Sequence, residues 1–311
     1  MKMRVFLWSA AVLSLTMTVR SRGGQLPATG SPPPLVAHEE LQKRLDDPAL
    51  RMIDARLRAD YDAGHIPGAI WLDPKVFEPL TRGEAATDRA AWGRVLTPLG
   101  VGPDTEILVY DDDRYHLQAG RVWFGLSYAA DARAVGLIDG RFSSWERAGR
   151  PVATDETRAA ARIAGVTFRP GLLAARQDVQ MATRLRSFQL VDARSEDEYL
   201  GKGVCPISRK PLPGGRAGHL PSAKLLEAAK VVREDGTFLE PAALRSLMSQ
   251  AGIEADRPTI LYSKGGARSN ATVFALRRLG VTVRHYGSGL NEWASDPTLP
   301  LATTSEPLGA N

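Results

Sequence analysis

The sequence predicts an α/β fold with two tandem domains, each a mainly parallel sheet flanked by helices. Short apolar, β-branched segments alternate with helical patterns along the chain, which is typical of βαβ units. The same motifs occur twice in the same order, which indicates a duplicated domain. The length of 311 residues and the hydrophobic content of 43% suffice for two domains of ordinary size.

Four motifs make up the repeat. They are a strand end with Asp-Ala-Arg, a Gly-His turn, an apolar strand and a closing segment with tryptophan. The Asp-Ala-Arg strand end lies at residues 54–56 and 192–194, and the Gly-His turn at 64–69 and 218–223. The apolar strand lies at 106–110 and 259–262, and the closing segment at 141–145 and 289–293. The second copy is longer between Leu200 and Gly218, so we expect an insertion there.

The second copy shows its elements most clearly. Its strands are predicted from apolar, β-branched runs, and its helices from apolar residues at helical spacing. The strands are expected at 188–192, 258–262 and 282–286, and the helices at 240–251 and 269–279. In parallel sheets of this kind, ligands bind at the carboxyl ends of the strands. We therefore expect the chemistry in the loops that follow Val191 and Tyr262.

Residues 1–34 are predicted to be a signal peptide or a membrane anchor, followed by a tether. Lys2 and Arg4 precede an apolar run over residues 5–19, and a Gly/Pro-rich stretch follows. The run has about 15 residues, whereas a spanning helix needs about 20. We therefore expect a periplasmic or secreted protein, with a membrane anchor through residues 5–19 as the alternative.

The remaining chain divides at a polar, Arg-rich stretch. We predict an N-terminal domain at 35–150, a linker at 151–170 and a C-terminal domain at 171–302. Cys205 is the single cysteine of the chain, so no internal disulfide can form.

The net charge of +5 does not indicate a nucleic-acid partner. Lys2, Arg4, Arg20 and Arg22 contribute four of the positive charges, and no acidic residue lies among the first 22. The rest of the chain therefore carries only about +1, which implies no basic face. Nucleic acid is not an expected partner.

The loop between Tyr262 and the following helix carries the strongest functional signal. Gly265 and Gly266 allow positive φ angles and a close approach of the backbone to a ligand. Successive amides at the N-terminus of a helix favour an anion. Lys264 and Arg268 add positive charge at the two ends of the loop. The pattern therefore predicts a cradle for a small anion.

In this order and in two copies, the motifs resemble the rhodanese superfamily, and within it the tandem-domain sulfurtransferases that act on thiosulfate or 3-mercaptopyruvate. The resemblance covers roughly residues 35–300. It implies a loop that opens with a cysteine, which accepts a sulfane sulfur as a persulfide and passes it to cyanide or a thiol. It also implies that loop amides stabilise the charge, that basic residues hold the donor's anionic group and that no cofactor is used.

The resemblance assigns roles to residues of this chain. Ser263 occupies the position of the nucleophile. The candidates for anion binding are Arg194, Lys264, Gly265, Gly266, Ala267 and Arg268. The expected partner is a small sulfur-containing oxyanion or a mercapto-acid. Asp192 is expected to be a structural acceptor, because the same pattern occurs in the first copy.

The first copy is expected to be non-catalytic. Residues 111–113, where its loop begins, are three aspartates, and the N-terminal domain of the family usually has an acidic residue in place of the cysteine. Three carboxylates repel an anion. They could bind a metal, but adjacent side chains point in different directions and no second ligand cluster follows, so no metal is expected.

Ser263 is the departure from the family pattern. A thiol can ionise in a basic, amide-lined loop and form an S–S bond, whereas a serine hydroxyl can do neither. A nucleophilic serine needs an adjacent base, and His219 and His285 could reach the cleft from other strand ends. No nucleophile-elbow pattern surrounds Ser263. We therefore expect an oxyanion-binding loop without classical persulfide turnover.

Two alternatives stay open at the level of the sequence. Cys205 lies in the insertion with Lys202, Arg209 and Lys210 nearby, and basic neighbours lower the pKa of a thiol. It could carry sulfur in place of residue 263. In the other alternative, the tandem fold is a non-catalytic scaffold that presents a surface to a partner.

Overall fold

The computed structural model describes residues 31–304, which form two parallel sheets with flanking helices. The strands are Leu35–Ala37 (β1), Leu50–Asp54 (β2), Ile70–Trp71 (β3), Glu106–Tyr110 (β4), Ala134–Asp139 (β5), Gln189–Asp192 (β6), Lys224–Leu225 (β7), Thr259–Tyr262 (β8) and Val283–Tyr286 (β9). The helices are His38–Gln42 (α1), Arg58–Ala63 (α2), Phe77–Leu80 (α3), Arg89–Leu96 (α4), Leu117–Ala129 (α5), Phe142–Arg147 (α6), Arg176–Leu185 (α7), Glu196–Tyr199 (α8), Pro241–Gln250 (α9), Ser269–Arg278 (α10) and Gly289–Ala294 (α11). The predicted α/β fold with two tandem domains is confirmed.

Both sheets are parallel, and both place the strand that precedes the functional loop in their interior. The strand order is β1-β5-β4-β2-β3 in the first sheet and β7-β6-β8-β9 in the second. All four residues of β8 are buried, which explains why its sequence is apolar throughout rather than alternating. Asp192 of β6 pairs in register with Tyr262 of β8, so the two predicted functional loops leave the same edge of the sheet.

The strands and helices predicted for the second domain are confirmed, and each boundary differs by no more than one residue. Such differences are expected where terminal hydrogen bonds are incomplete. The insertion is also present. Residues 201–217 form a long loop with a single 3-10 turn at Pro213–Gly215, whereas in the first domain the Gly-His turn follows α2 directly.

The predicted linker follows the surface of the first domain. Isolated bridges join Ala153 to His65 and Val166 to Ala130 before a 3-10 turn at Pro170–Leu172 opens the second domain. The predicted signal peptide or anchor with its tether covers residues 1–34, of which residues 1–30 lie outside the described part of the chain. Within residues 31–304, no helix is long and apolar enough to cross a membrane.

The two domains share one hydrophobic core. Helix α5 packs against α10, where Gly120 permits a close approach: a Cβ at this position would lie 3.0 Å from Cβ of Asn270. Trp123 packs edge-on against Phe274, with 5.0 Å between the ring centroids. Because these aromatic rings are buried, separating the domains would expose a large apolar area to water.

A polar contact around His116 also joins the domains. His116 is fully buried, and its Nε2 lies 2.6 Å from the carbonyl oxygen of Gly236 in the second domain. Its Nδ1 lies 3.5 Å from the Asp111 carboxylate, and its ring stacks on Phe238. Asp139 accepts the N–H of Phe238 at 2.9 Å. The ring of His116 is therefore held between carboxylates of one domain and the backbone of the other.

We predict that this contact makes stability depend on pH. Burial alone would lower the pKa of His116, but the hydrogen bond and charge of Asp111, the Gly236 carbonyl and the charge of Asp139 raise it above its usual value. A raised pKa means that the stabilisation is complete below about pH 6.5 and is lost as the pH rises through the higher folded-state pKa.

The measurement is urea denaturation of the wild type and of His116→Asn between about pH 5.5 and pH 9. Asparagine tolerates the left-handed backbone at this position, φ 49°, but cannot be protonated. The free-energy difference between the two proteins should shrink as the pH rises. A difference that stays constant or grows would contradict the prediction.

Candidate active site

A buried ion pair holds the end of β6 in place. The Asp192 carboxylate accepts the backbone N–H of Arg194 at 2.9 Å. The same carboxylate accepts hydrogen bonds from Nε and Nη2 of the Arg194 guanidinium at 3.0 and 2.6 Å. Arg194 Nη2 also donates to the carbonyl oxygen of Gly218 at 2.8 Å. The pair therefore ties the strand end to the Gly-His turn.

The first domain contains the same pair, which bears on the predicted role of Arg194. Asp54 accepts from Arg56 at 2.6 Å, and Arg56 donates to the Gly64 carbonyl at 2.6 Å. A pair that occurs in both domains indicates a structural role. Arg194 is 2% exposed and its Nε and Nη2 donate to groups within the protein, which favours a structural role over the predicted anion-binding role. The buried carboxylate is the stronger acceptor within reach.

Close packing shapes the loop of residues 263–268. The carbonyl of Ser263 accepts the N–H of Leu290 at 3.0 Å, which ties the loop to α11. Gly266 has a φ of +87°, and a Cβ there would lie 2.3 Å from the carbonyl oxygen of Gly287. Glycine is therefore required at this position for both conformation and space, in agreement with the role predicted for it.

Four amides of this loop lack an acceptor among the described residues. Ser263 Oγ accepts the N–H of Gly266 at 3.1 Å. The amides without an acceptor among residues 31–304 are those of Lys264, Gly265, Ala267 and Arg268. They directly precede α10, a helix of ten residues whose dipole adds positive potential at its N-terminus. The loop therefore has a positive electrostatic potential, which favours an anion.

The two basic side chains of the loop are bound to protein groups. Lys264 Nζ donates to Ser208 Oγ at 2.9 Å and to the Lys210 carbonyl at 2.6 Å, both in the insertion. Arg268 forms a two-pronged pair with Glu198 at 2.6 and 2.8 Å. Burial would raise the pKa of Glu198, but Arg268 lowers it further than burial raises it. Both side chains therefore have acceptors within their own domain, and their anion-binding roles stay predictions.

Cys205 lies beside the Arg268 pair. Its Sγ is 3.7 Å from Arg268 Nη2 and accepts the N–H of Ser208 at 3.5 Å. Burial would raise the pKa of the Cys205 thiol, but the hydrogen bonds from Ser208 and the charge of Arg268 outweigh burial and lower it. The insertion therefore brings the chain's cysteine to the edge of the candidate loop in surroundings that favour the thiolate.

Ser263 Oγ belongs to a chain of buried hydrogen bonds. Ser269 Oγ lies 3.2 Å from Ser263 Oγ, 2.7 Å from His285 Nε2 and 2.8 Å from the Gly266 carbonyl oxygen. Ser269 Oγ therefore connects Ser263 and His285 through one hydroxyl group. Burial lowers the pKa of His285 to about 3, which keeps the ring neutral.

This arrangement does not favour a hydrolase. Ser269 Oγ lies between Ser263 Oγ and His285 Nε2, so His285 does not contact the Ser263 hydroxyl directly. His219 Nδ1 lies 2.7 Å from the carbonyl oxygen of Tyr199, and the His219 ring stacks on the Tyr199 ring. His219 is therefore part of the Gly-His turn. Neither histidine is placed as a general base for Ser263.

Two arginines of the first domain face the loop across the domain interface. Arg82 Nη2 donates to the Gly265 carbonyl at 3.1 Å, and Arg121 pairs with Glu78 at 2.5 Å. The interdomain cleft is also lined by Phe124, Gly266, Ala267, Asn270 and His285. The sequence did not indicate these arginines, because they lie in the domain predicted to be non-catalytic and no local motif surrounds them.

The corresponding loop of the first domain contains its own anion. Asp111 follows β4 as Ser263 follows β8. Its Oδ2 accepts the amides of Gln118 and Ala119, at 3.0 and 2.8 Å, at the start of α5. The carboxylate therefore places a negative charge at the first turn of α5, whereas Ser263 places a neutral hydroxyl after β8 in the second domain.

Comparison with known sequences finds two matches to one family. The chain matches the model described as the rhodanese-like domain at residues 37–148 and 175–296. A protein of Saccharopolyspora erythraea named as a thiosulfate sulfurtransferase is 32% identical over 79% of this chain and 87% of its own length. The sulfur carrier protein TtuD of Thermus thermophilus is 30% identical over 88% of this chain and 98% of its own length.

Solved structures share the fold at lower identity. The structure of SseA from Escherichia coli, described as a 3-mercaptopyruvate sulfotransferase, has a TM-score of 0.68 and 23% identity and covers 82% of this chain and 98% of its own. An anaerobic ergothioneine biosynthesis enzyme of Chlorobium limicola has a TM-score of 0.75 and 21% identity, covering 88% of this chain and 70% of its own.

We predict that Arg194 acts on stability and not on ligand binding. Arg194→Met leaves the Asp192 carboxylate buried and unpaired, which should cost about 3 to 5 kcal/mol of unfolding free energy. Arg56→Met is the matched control, because it breaks the same pair in the first domain and should cost a similar amount. Urea denaturation measures both. A stable Arg194→Met variant with weakened thiosulfate binding would contradict the prediction.

Proposed function

Because the chain belongs to the rhodanese family, with one domain of that family in each half, we propose that its second domain binds a small sulfur-containing oxyanion or mercapto-acid at residues 263–268. The protein is a tandem-domain member of the sulfurtransferase family. In this proposal the binding loop is retained, and classical persulfide turnover at residue 263 is lost.

The observation that carries the proposal is the set of loop amides without an acceptor. An amide without an acceptor in the protein can donate to an anion, so an anion on these N–H groups would stabilise the loop. Asp111 supplies such an acceptor in the first domain, whereas Ser263 is neutral and bonds only the amide of Gly266 among the loop amides. The contrast supports an external anion as the missing acceptor.

Cations on the facing domain support the same assignment. Arg82 reaches the loop at Gly265, and Arg121 lies in the same cleft. Both arginines can interact with an anion that rests on the loop amides. They would supply the positive charge that the sequence led us to expect from Lys264 and Arg268.

Loss of persulfide turnover follows from the chemistry of oxygen. Ser263 Oγ is buried, and an oxygen atom forms no equivalent of a persulfide. We also propose that the protein is exported, on the strength of the apolar run at residues 5–19. N-terminal sequencing of the mature protein from cell fractions tests this, and a cytosolic protein that retains Met1 would refute it.

A second candidate function is sulfur transfer through Cys205. The contact of its Sγ with Arg268 and the lowered pKa of its thiol favour this candidate. The thiolate would attack the outer sulfur of thiosulfate, the S–S bond of thiosulfate would break, and sulfite would leave with the bonding electron pair. Cys205 would then hold the persulfide for transfer to a thiol or cyanide.

One prediction of the proposed function concerns the anion-binding loop. Thiosulfate or sulfite should raise the unfolding free energy of the wild type by about 2.7 kcal/mol at a concentration of about 100 times its Kd. Gly266→Ala should remove the gain, because its Cβ would meet the Gly287 carbonyl at 2.3 Å. Gly280→Ala is the matched control, since Gly280 also has a positive φ, 84°, but open space around it.

A second variant keeps this test decisive if Gly266→Ala does not fold. Arg82→Ala removes an exposed side chain and should weaken thiosulfate binding without altering the fold. Thermal unfolding with and without ligand measures both effects. A wild type that gains nothing from either anion would refute the proposed function.

The second prediction separates the two candidate functions. Ser263→Cys should gain the mass of one sulfur atom on incubation with thiosulfate, because its thiolate would face the Gly266 amide and the Ser269 hydroxyl. The wild type should gain none. Persulfide on the wild type that disappears in Cys205→Ser would establish the second candidate in place of the first, and the Ser263→Cys, Cys205→Ser double variant isolates position 263.

A further inference from the structure

The insertion at residues 201–217 concentrates positive charge beside the candidate loop. It contains four basic residues and no acidic residue. The rest of the described chain, residues 31–200 and 218–304, contains 32 basic and 34 acidic residues, which gives a net charge of −2. The low overall charge of the chain therefore conceals a basic segment, whose field attracts a partner of negative charge.

Three of the four bases are not neutralised within the described part of the chain. Lys202, Arg209 and Lys210 are exposed, and none of the ion pairs among residues 31–304 involves them. Arg216, the fourth base, is anchored, because its guanidinium donates to the carbonyl oxygen of Asp296 at 2.8 Å. Three cations on one loop are therefore available to the carboxylates of another molecule.

The charges that lie beside the insertion leave it positive. Asp197 lies at its base, where a Cβ on Gly203 would be 2.9 Å from the Cβ of Asp197. This carboxylate offsets one positive charge. Lys264 of the candidate loop adds another, since its Nζ donates to Ser208 Oγ at 2.9 Å and to the carbonyl oxygen of Lys210 at 2.6 Å. A molecule that docks on the insertion therefore lies beside the candidate loop.

Two apolar side chains are exposed among these cations. Val204 is 51% exposed and Ile207 is 58% exposed, whereas Cys205 between them is buried. The insertion thus turns its thiol inward and its two β-branched side chains towards solvent. An apolar contact beside unpaired charges is the combination found in protein interfaces, where apolar burial supplies affinity and charge supplies specificity.

Backbone contacts fix the conformation that exposes these residues. The N–H of Arg209 donates to the carbonyl oxygen of Cys205 at 2.8 Å and closes a turn. Arg209 has a φ of 51°, a left-handed conformation that is unfavourable for a residue with a long side chain. Leu212 is buried in the core of the second domain and anchors the segment that follows. Strain that is held in an exposed turn indicates a function for that turn.

These features favour an acidic protein segment over other anionic partners. Single-stranded nucleic acid is bound with aromatic side chains on which the bases stack, and residues 201–217 contain no aromatic residue. Helices that lie in a membrane interface insert tryptophan, phenylalanine or leucine, whereas the exposed apolar residues here are one valine and one isoleucine. A peptide with carboxylates and aliphatic side chains complements both the charges and the apolar contact.

We propose that one surface of the insertion is the docking site for an acidic, partly apolar segment of a partner protein. This insertion surface consists of Lys202, Val204, Ile207, Arg209 and Lys210. Carboxylates of the partner pair with the three bases, and an aliphatic side chain of the partner packs against the valine and the isoleucine. The inference is independent of the proposed function, because none of these five residues belongs to the loop of residues 263–268.

The experiment is fluorescence anisotropy of labelled peptides with the full chain. The probe peptide contains leucines spaced among glutamates and aspartates. One control peptide has glutamine and asparagine in place of the acids, and another has serine in place of the leucines. We expect the probe to bind more tightly than either control and its affinity to fall as salt rises. A probe that does not bind, or that binds no better than the uncharged control, overturns the inference.

A matched pair of triple variants locates the binding. Lys202→Gln, Arg209→Gln and Lys210→Gln together should weaken binding of the probe at least about tenfold, as expected for the loss of three exposed ion pairs. The control combines Lys43→Gln, Lys75→Gln and Arg184→Gln, which remove the same charge at exposed positions outside the insertion. An equal loss in both triple variants would mean unspecific attraction and overturns the inference.

Two further arms test the class of partner. Val204→Ser with Ile207→Ser should weaken binding of the probe but leave the serine peptide unaffected, and both residues are exposed, so the fold should tolerate the change. Phosphatidylglycerol vesicles and a single-stranded oligonucleotide should bind more weakly than the probe. Tighter binding of either one, lost in the triple variant of the insertion, would assign the surface to that partner and overturn the inference.

Discussion

The buried aspartate and arginine pair at the end of β6 is the contact on which the candidate site depends. Asp192 binds Arg194, Arg194 binds the Gly218 carbonyl, and the hydroxyl of Tyr262 accepts the amide of Leu220 from the same turn. These contacts hold the ends of two neighbouring strands and one turn together. The loop of residues 263–268 begins one residue later, so its direction is set by groups that never meet a ligand.

The first domain has the same contacts at its strand ends, but the loop that follows them differs from the loop of the second domain. Tyr110, Asp54 and Arg56 repeat the contacts in the first domain, where the hydroxyl of Tyr110 lies 2.7 Å from Asp54. The difference arises at the next residue. Asp111 fills the first loop with a carboxylate, whereas Ser263 leaves the second loop with amides that lack an acceptor. One residue therefore separates a closed structural loop from a loop that can accept an anion.

Docking of the domains completes the cleft. Helices α5 and α10 approach closely at Gly120, and this packing brings Arg82 and Arg121 to the loop and leaves Asn270 and His285 facing them. The buried aromatic contacts and the His116 contact hold this arrangement. Residues of both domains line the cleft, so its form is a property of the interface.

The sequence by itself determined the parallel fold, the strand and helix positions of the second domain, and the glycine-rich turn after Tyr262, because all of these depend on local periodicity and on glycine at residues 265–266. Only the tertiary structure decided which charges are available. Arg194, Lys264 and Arg268 are basic in sequence, but each is taken up by an acceptor of its own domain, while Arg82 reaches the loop from the other domain. Charged side chains pair with whichever acceptor the fold brings nearest, and sequence separation does not reveal that distance.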